Sequence, residues 1–311
     1  MKVLVTSNSF GRYDPTPVCR LEEAGFTVIT NPYHRQMCEA ELIEQVADAD
    51  AVILSTESIT ERVLDSAKAL KMISRYGVGL DNVDLNACEK RGIPVTVTRN
   101  ANSTAVAEYA VTLMLAASRG IMISSSAAKE GVWQKFNGLN LTGKCVGIIG
   151  LGAIGREVAR IMQGFQVRLL AYDLLCDEAF MEEYHIEQTS LDKLLAQSDI
   201  VTLHVPGEDG KALLTKERFA SMKQDSILIN TARASLLDYD ALLTQLAAKR
   251  LFAAALDVHE HEPYFDKRLI AYENVMLTPH NAAITKEATI RTSHMAVDHI
   301  LAFFAKGGQA K

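Results

Sequence analysis

Residues 144–162 read KCVGIIGLGAIGREVARIM, an apolar β-branched run that turns on closely spaced glycines into a helical pattern. Gly150, Gly152 and Gly155 stand in G-x-G-x-x-G spacing between strand and helix. The first glycine permits a tight turn, the second lets a pyrophosphate approach the backbone, and the third lets the helix pack closely on the strand. The exposed amides at Gly152, Ala153 and Ile154, at the positive end of the helix, then suit a diphosphate. The next apolar run, VRLLAYD, ends at Asp173, eighteen residues after Gly155. A carboxylate there can accept from a ribose 2'-hydroxyl. Leu174 and Leu175 follow, with no arginine for a 2'-phosphate, so NAD is favoured over NADP.

That unit sits inside a longer alternation. KVLVTS, FTVIT, AVILST, KMISRYG and PVTVT punctuate the first hundred residues, separated by helical patterns such as EAELIEQVADA. A second series runs KCVGIIG, VRLLAYD, DIVTLHV, SILINT, FAAALDV and NVMLTP. Strands alternating with helices predict parallel sheets, and a chain of 311 residues is long for one core. The expected fold is α/β with two doubly wound parallel-sheet domains, one flavodoxin-like and one Rossmann, with a cleft between them. The boundaries are residues 1–99 plus 285–311 for a substrate domain, and 100–284 for the NAD-binding domain with a dimerisation helix and loop. NSTAVAEYAVTLMLAASRG predicts a long helix capped at Ser103 or Thr104 and stopped at Gly120, apolar around much of its surface and so buried between domains or subunits. A last helix, from about Thr285 to Lys306, has no strand left to pair with in the second domain and is expected to cross back to the first.

Composition narrows the function classes. A net charge of -6 leaves no basic face for nucleic acid. Five widely spaced cysteines without a C-x-x-C pair read as free thiols in a reducing cytosol. The start MKVLVTSNSF has no apolar leader pattern, and runs such as AVTLMLAA fall far short of a membrane span, so a cytoplasmic protein is expected. The chain ends soon after its return helix, which predicts no C-terminal regulatory domain.

Ligands of doubly wound folds bind at the carboxyl ends of the strands. Arg233 follows SILINTA, an acidic cluster follows FAAALDV, and His280 follows NVMLTP. Hydride exchange between a nicotinamide and a 2-oxo acid asks for a cation to bind the carboxylate, a group of near-neutral pKa to move a proton, and a carboxylate behind it. LDVHEHEP, residues 256–263, packs Asp257, His259, Glu260, His261 and Glu262 together; its acids Asp257, Glu260 and Glu262 suit the last role, and spacing does not choose among them. Two nearby histidines without a defined third ligand give no metal site.

ISRYGVGLDNVDLNACEKRGIPV, VAEYAVTLML, GIIGLGAIGREVA, LINTARASLLDYDALL, AALDVHEHEP and LTPHNAAITKEA together resemble the NAD-dependent D-2-hydroxyacid dehydrogenases along the whole chain, and most of all the phosphoglycerate-dehydrogenase-like branch. The resemblance implies catalytic Arg233, Glu262 and His280, with His280 the acid/base, Glu262 its partner and Arg233 the substrate clamp. It places the substrate carboxylate at Arg75, Val78 and Gly79, with Asn102 nearby. It assigns His204, Val205, Pro206, Thr231, Ala232, Asp257 and Ala282 to the cofactor, and implies a homodimer, for which Trp133 is a candidate anchor. It gives His259, Glu260 and His261 no role.

The departures from that pattern are informative. Ala234 stands in place of a common glycine, Asn281 in place of an apolar residue, and GEDGKALLT after LHVP is shorter than usual, so that loop is expected to sit differently along the cofactor. In TRNANS, residues 98–103, Arg99 and Asn100 replace a frequent Pro-Gly, and Arg99 is expected to bind a second anionic group on the substrate. The resulting expectation is exchange of hydride between NAD(H) and a D-2-hydroxy or 2-oxo acid, with 3-phosphoglycerate and 3-phosphohydroxypyruvate among the candidates. Alternatives are a glyoxylate or hydroxypyruvate reductase, and a non-enzymatic NAD-sensing protein. Formate oxidation is disfavoured because such relatives carry glutamine where Glu262 stands; phosphite oxidation is compatible with the same trio.

Overall fold

A computed structural model describes residues 1–207 and 211–308. Part of the GEDGKALLT segment therefore lies outside the described residues. The chain divides into two compact units, Met1–Asn102 with Ile284–Lys311, and Ser103–Ala283.

The first unit holds a sheet of β1 (Lys2–Val5), β2 (Thr27–Thr30), β3 (Ala51–Leu54), β4 (Met72–Arg75) and β5 (Val95–Val97). Their order is β2-β1-β3-β4-β5, all parallel. The central strand β3 is buried at every residue, the pattern of a sheet covered on both faces. The helix Lys286–Ala305 packs on β4 and on the helix Thr16–Glu23. Thr285 caps it, its Oγ1 accepting from the Ala288 amide at 3.1 Å.

The second unit holds β6 (Cys145–Ile149), β7 (Arg168–Tyr172), β8 (Ile186–Gln188), β9 (Ile200–Leu203), β10 (Ser226–Asn230), β11 (Leu251–Leu256) and β12 (Val275–Leu277). These are ordered β12-β11-β10-β9-β6-β7-β8, again all parallel. β8 has no counterpart among the apolar runs. It is a three-residue edge strand, Ile-Glu-Gln, with one buried side chain, too short and polar to show a period. On the helix Ala153–Met162, Gly155, Val158, Ala159 and Met162 are buried at positions i, i+3, i+4 and i+7, one face of an amphipathic helix.

The long helix spans Ser103–Arg119, so Ser103 is its first helical residue rather than its cap. It packs on β10, β11 and the helix Ala153–Met162, which accounts for its apolar surface within its own unit. Gly120, at φ 57°, ends it in a left-handed turn, and a second helix, Ile121–Lys129, leaves with no buried residue. Among the described residues no single helix is long and apolar enough to cross a membrane.

Candidate active site

The glycine turn follows β6 directly. A Cβ at Gly150, where φ is +96°, would lie 2.6 Å from the His204 carbonyl oxygen, and one at Gly155 would lie 2.0 Å from the Gly150 oxygen. Neither position admits a side chain. A Cβ at Gly152 would meet nothing within 4 Å, which leaves open space over the start of the helix Ala153–Met162. The Leu151 amide donates to Asp173 Oδ2 at 2.6 Å and the Leu175 amide to Oδ1 at 3.1 Å, so the acid after β7 is fixed beside the turn. Arg156 braces the same turn, donating to the Leu151 carbonyl at 3.1 Å and to Asp177 at 2.8 Å.

Two polar atoms on neighbouring strands are buried without a partner among the described residues: His204 Nδ1 after β9 and Thr231 Oγ1 after β10. His204 Nε2 lies 2.9 Å from Thr202 Oγ1, and burial pushes the imidazole down to about 3, so it is neutral. Val205 is half-buried and Pro206 exposed beyond it. Orphaned polar atoms beside an open helix N-terminus are what a dinucleotide would satisfy.

Three strands on the other side of the same sheet bring the remaining candidates together. Asn230 at the end of β10 pairs with Leu256 of β11, and Leu256 with Leu277 of β12. Parallel strands end on the same edge, so the residues that follow them are neighbours. After β10, the buried Asn230 side chain donates to the Arg233 carbonyl at 2.8 Å and accepts from the Ala232 amide at 3.0 Å, which shapes the turn that presents Arg233. Arg233 Nη1 donates to the Ala232 carbonyl at 2.7 Å. Ala234 opens a 3-10 turn, Ala234–Leu236, without left-handed backbone, so its Cβ is accommodated.

After β12 comes His280, at φ +53°. A non-glycine residue held there stores roughly 1–2 kcal/mol of strain, and such positions persist when surrounding bonds over-determine them. Asp257, fully buried after β11, supplies three such bonds: Oδ1 accepts from Thr278 Oγ1 at 2.7 Å and the Asn281 amide at 2.8 Å, and Oδ2 from the Ala282 amide at 2.8 Å. His280 Nδ1 donates to both oxygens of Glu262, at 3.0 and 2.9 Å. That bond raises the His280 pKa above its ordinary value, against burial; the Glu262 and Asp257 charges add to it and the nearby Arg233 guanidinium opposes it. For Glu262, burial works upward, but the His280 bond, its charge and the His259 amide outweigh it and hold the carboxylate below its usual range. With Nδ1 committed to Glu262, Nε2 makes no hydrogen bond to any described residue and is left for a ligand.

Glu260 and His261 are exposed. Thr278 escaped the reading from motifs, and His259 was named there without a role. Both act through hydrogen bonds between segments about twenty residues apart, for which a linear pattern carries no signal. Among the described residues no group of three His, Cys, Asp or Glu side chains could hold a metal ion.

The remaining candidates belong to the first unit. Arg75, at the end of β4, donates from Nε to the Gly79 carbonyl at 2.8 Å and from Nη1 to the Tyr76 and Leu54 carbonyls at 2.9 and 3.2 Å. It therefore shapes the turn carrying Val78 and Gly79, of which Val78 is exposed. Thr98 after β5 ties in at the same edge, its Oγ1 accepting from the Gly77 amide at 2.9 Å. Arg99 is exposed beside it, Asn100 takes the left-handed conformation at φ +64°, and Asn102 is half-buried.

Residues 111–282 match the family model described as D-isomer specific 2-hydroxyacid dehydrogenase, NAD binding domain. The chain belongs to the D-isomer specific 2-hydroxyacid dehydrogenase family. Among its relatives, D-3-phosphoglycerate dehydrogenase of Archaeoglobus fulgidus is 39% identical over 270 residues, 85% of this chain and 51% of that protein. The chain thus spans about half the length of that relative. Glyoxylate reductase of Korarchaeum cryptofilum is 37% identical over 84% of this chain and 82% of its own length. A solved structure of a Thermus thermophilus protein superposes with a TM-score of 0.89 at 34% identity, covering 98% of this chain and 97% of that one. The matched family model is an NAD-binding one, and the open glycine turn with two orphaned polar atoms beside it fits NAD(P).

Proposed function

We propose that this dehydrogenase exchanges hydride between NAD(H) and a D-2-hydroxy or 2-oxo acid, with Arg233, Glu262 and His280 as its catalytic residues. The observation that carries the reading is the Glu262–His280 pair, a supported imidazole with one nitrogen left for substrate, on the same sheet edge as a dinucleotide cradle. When bound, the nicotinamide supplies or takes up the hydride. Arg233 binds the substrate carboxylate and polarises the carbonyl. In reduction, His280 Nε2–H gives its proton to the carbonyl oxygen, while Glu262 keeps the imidazolium oriented and charged. The neutral imidazole then regains its proton from solvent. Asp173 followed by Leu174 and Leu175, both exposed, supports NAD over NADP, because a 2'-phosphate would face a carboxylate and the two residues after it supply no cation. Loss of absorbance at 340 nm across a panel of 2-oxo acids, with NADH and separately NADPH, tests the reading. Tight NADH binding without turnover would move the sensing-protein reading ahead.

For the substrate side chain, the resemblance to both phosphoglycerate dehydrogenase and glyoxylate reductase supports two classes. Exposed Arg99, at the same edge of the first sheet as the Val78–Gly79 turn, supports a dianionic acid such as 3-phosphohydroxypyruvate over glyoxylate. Arg99→Ala is expected to raise KM for the dianion by about tenfold, the loss of one charge-assisted hydrogen bond, and to spare a monoanionic acid. Equal effects on both would remove the idea.

A homodimer accompanies this reading. Ile121, Met122, Val132 and Trp133 are all exposed, Trp133 at 93%, and the helix Ile121–Lys129 buries nothing within the chain. An apolar patch of this kind suits a second copy. Light scattering in dilute solution is expected to give twice the chain mass; a monomeric mass would end the proposal. Free thiols at all five cysteines support a cytoplasmic setting.

A further inference from the structure

Hydride exchange assigns no task to three ionisable groups of LDVHEHEP, and of these Glu260 and His261 are exposed while His259 is packed into the loop. His259 is half-buried, and its two hydrogen bonds go to Glu262 and to the turn that carries His280. Its backbone amide donates to Glu262 Oε1 at 3.2 Å. Its ring Nε2 lies 2.8 Å from the carbonyl oxygen of Thr278, two residues before His280. A carbonyl can only accept, so Nε2 carries a proton and donates, whatever the state of Nδ1. The same Thr278 oxygen accepts from the His280 amide at 3.0 Å, closing the turn that holds His280 at positive φ. Phe265 packs edge-on against the His259 ring, centroids 4.7 Å apart and planes at 81°, which limits rotation of the imidazole.

We propose that His259 is a positioning residue, a clasp that ties the Glu262 loop to the His280 loop and so sets the geometry of the acid/base pair. The bonds form a closed circuit: His259 amide to Glu262, Glu262 to His280, His280 through its turn to the Thr278 carbonyl, and that carbonyl back to the His259 ring. Asp257 holds the same turn through other atoms, the Thr278 hydroxyl and the Asn281 and Ala282 amides. Asp257 thus keeps the His280 loop against its own strand end, whereas His259 couples it to the loop bearing Glu262. Register between acid and base is the quantity that His259 controls.

The inference rests on the dehydrogenase reading for its kinetic consequences and on the geometry alone for its structural ones. The test uses the full chain with two substitutions. His259→Phe keeps a ring against Phe265 and removes the donor; His259→Gln places an amide N–H near the former Nε2. The Phe variant is expected to lower kcat for 2-oxo acid reduction about five- to tenfold, the worth of one lost hydrogen bond, with KM and NADH affinity little changed. Its alkaline limb should move to lower pH, because Glu262 supports the imidazolium less well while Asp257 and Arg233, the other charges facing His280, stay in place. The Gln variant should recover most of the rate and return the limb. If the Phe variant folds poorly, His259→Asn, too short to reach Thr278, takes its place.

Imidazole NMR gives a readout independent of turnover: the His280 titration should fall in the Phe variant and return in the Gln variant. An unchanged His280 titration, or equal losses with Phe and Gln, would overturn the clasp. A wild-type protein that turns over no 2-oxo acid would instead overturn the dehydrogenase reading, and the NMR comparison would still decide the clasp.

Discussion

His280→Ala is expected to cut kcat by about 10²–10⁴, the usual worth of a positioned acid/base, while NADH binds nearly as before. The split follows from position. His280 lies after β12, outside the glycine turn and Asp173, so its loss removes proton transfer without touching the cradle. The wild-type pH profile has a defined sign. His280 is raised above its ordinary value by Glu262, so the imidazolium, the proton donor of the proposed reduction, persists beyond the usual histidine range. The reductive rate should fall as pH rises through that raised value, and the oxidative rate, which needs the neutral base, should rise. Because His280 is raised and Glu262 lowered, the pair's contribution to stability is present between the ordinary carboxylate and ordinary histidine values, is lost as pH rises through the raised His280 value, and is lost as pH falls through the lowered Glu262 value. Glu262→Gln removes the anion and should carry the reductive limb to lower pH. A limb that stays in place would transfer the supporting role to Asp257, the other carboxylate acting on His280.

Arg233→Ala should lower kcat/KM by about 10²–10³, the cost of removing a preorganised donor from a developing charge. Arg233→Lys should recover only part of it. The position follows a buried strand, its turn is bracketed by the Asn230 side chain, and the guanidinium is close enough for its charge to register on His280. A lysine supplies the charge but not the planar fork that meets a carboxylate and a carbonyl oxygen together. Steady-state kinetics with a monoanionic 2-oxo acid check this, since such a substrate has no second anion for Arg99. A Lys variant with wild-type kcat/KM would show that charge alone suffices. An Ala variant with unchanged kcat and KM would remove Arg233 from the site.

The strands were legible because a parallel sheet covered on both faces asks for continuous apolar, β-branched runs, and AVIL, CVGII and SILIN are such runs. IEQ, on the edge, escaped because one buried residue in three leaves no pattern. The glycine turn was legible because its three demands, on φ, on phosphate access and on helix packing, each select glycine at a fixed spacing. Ser103, read as a cap, proved to be the first helical residue.

The acid cluster divides along the same line. By itself the sequence determined that LDVHEHEP follows a strand at the ligand edge, and family motifs pointed to Glu262. Only the tertiary structure decided that Asp257 turns inward to hold the His280 turn, that His259 bridges to Thr278, and that Glu260 and His261 face solvent. The physical reason is that strand identity is a local property of side-chain hydrophobicity. The partner of a polar group in a loop is instead set by the register of β11 against β12, which is established by packing across the whole sheet.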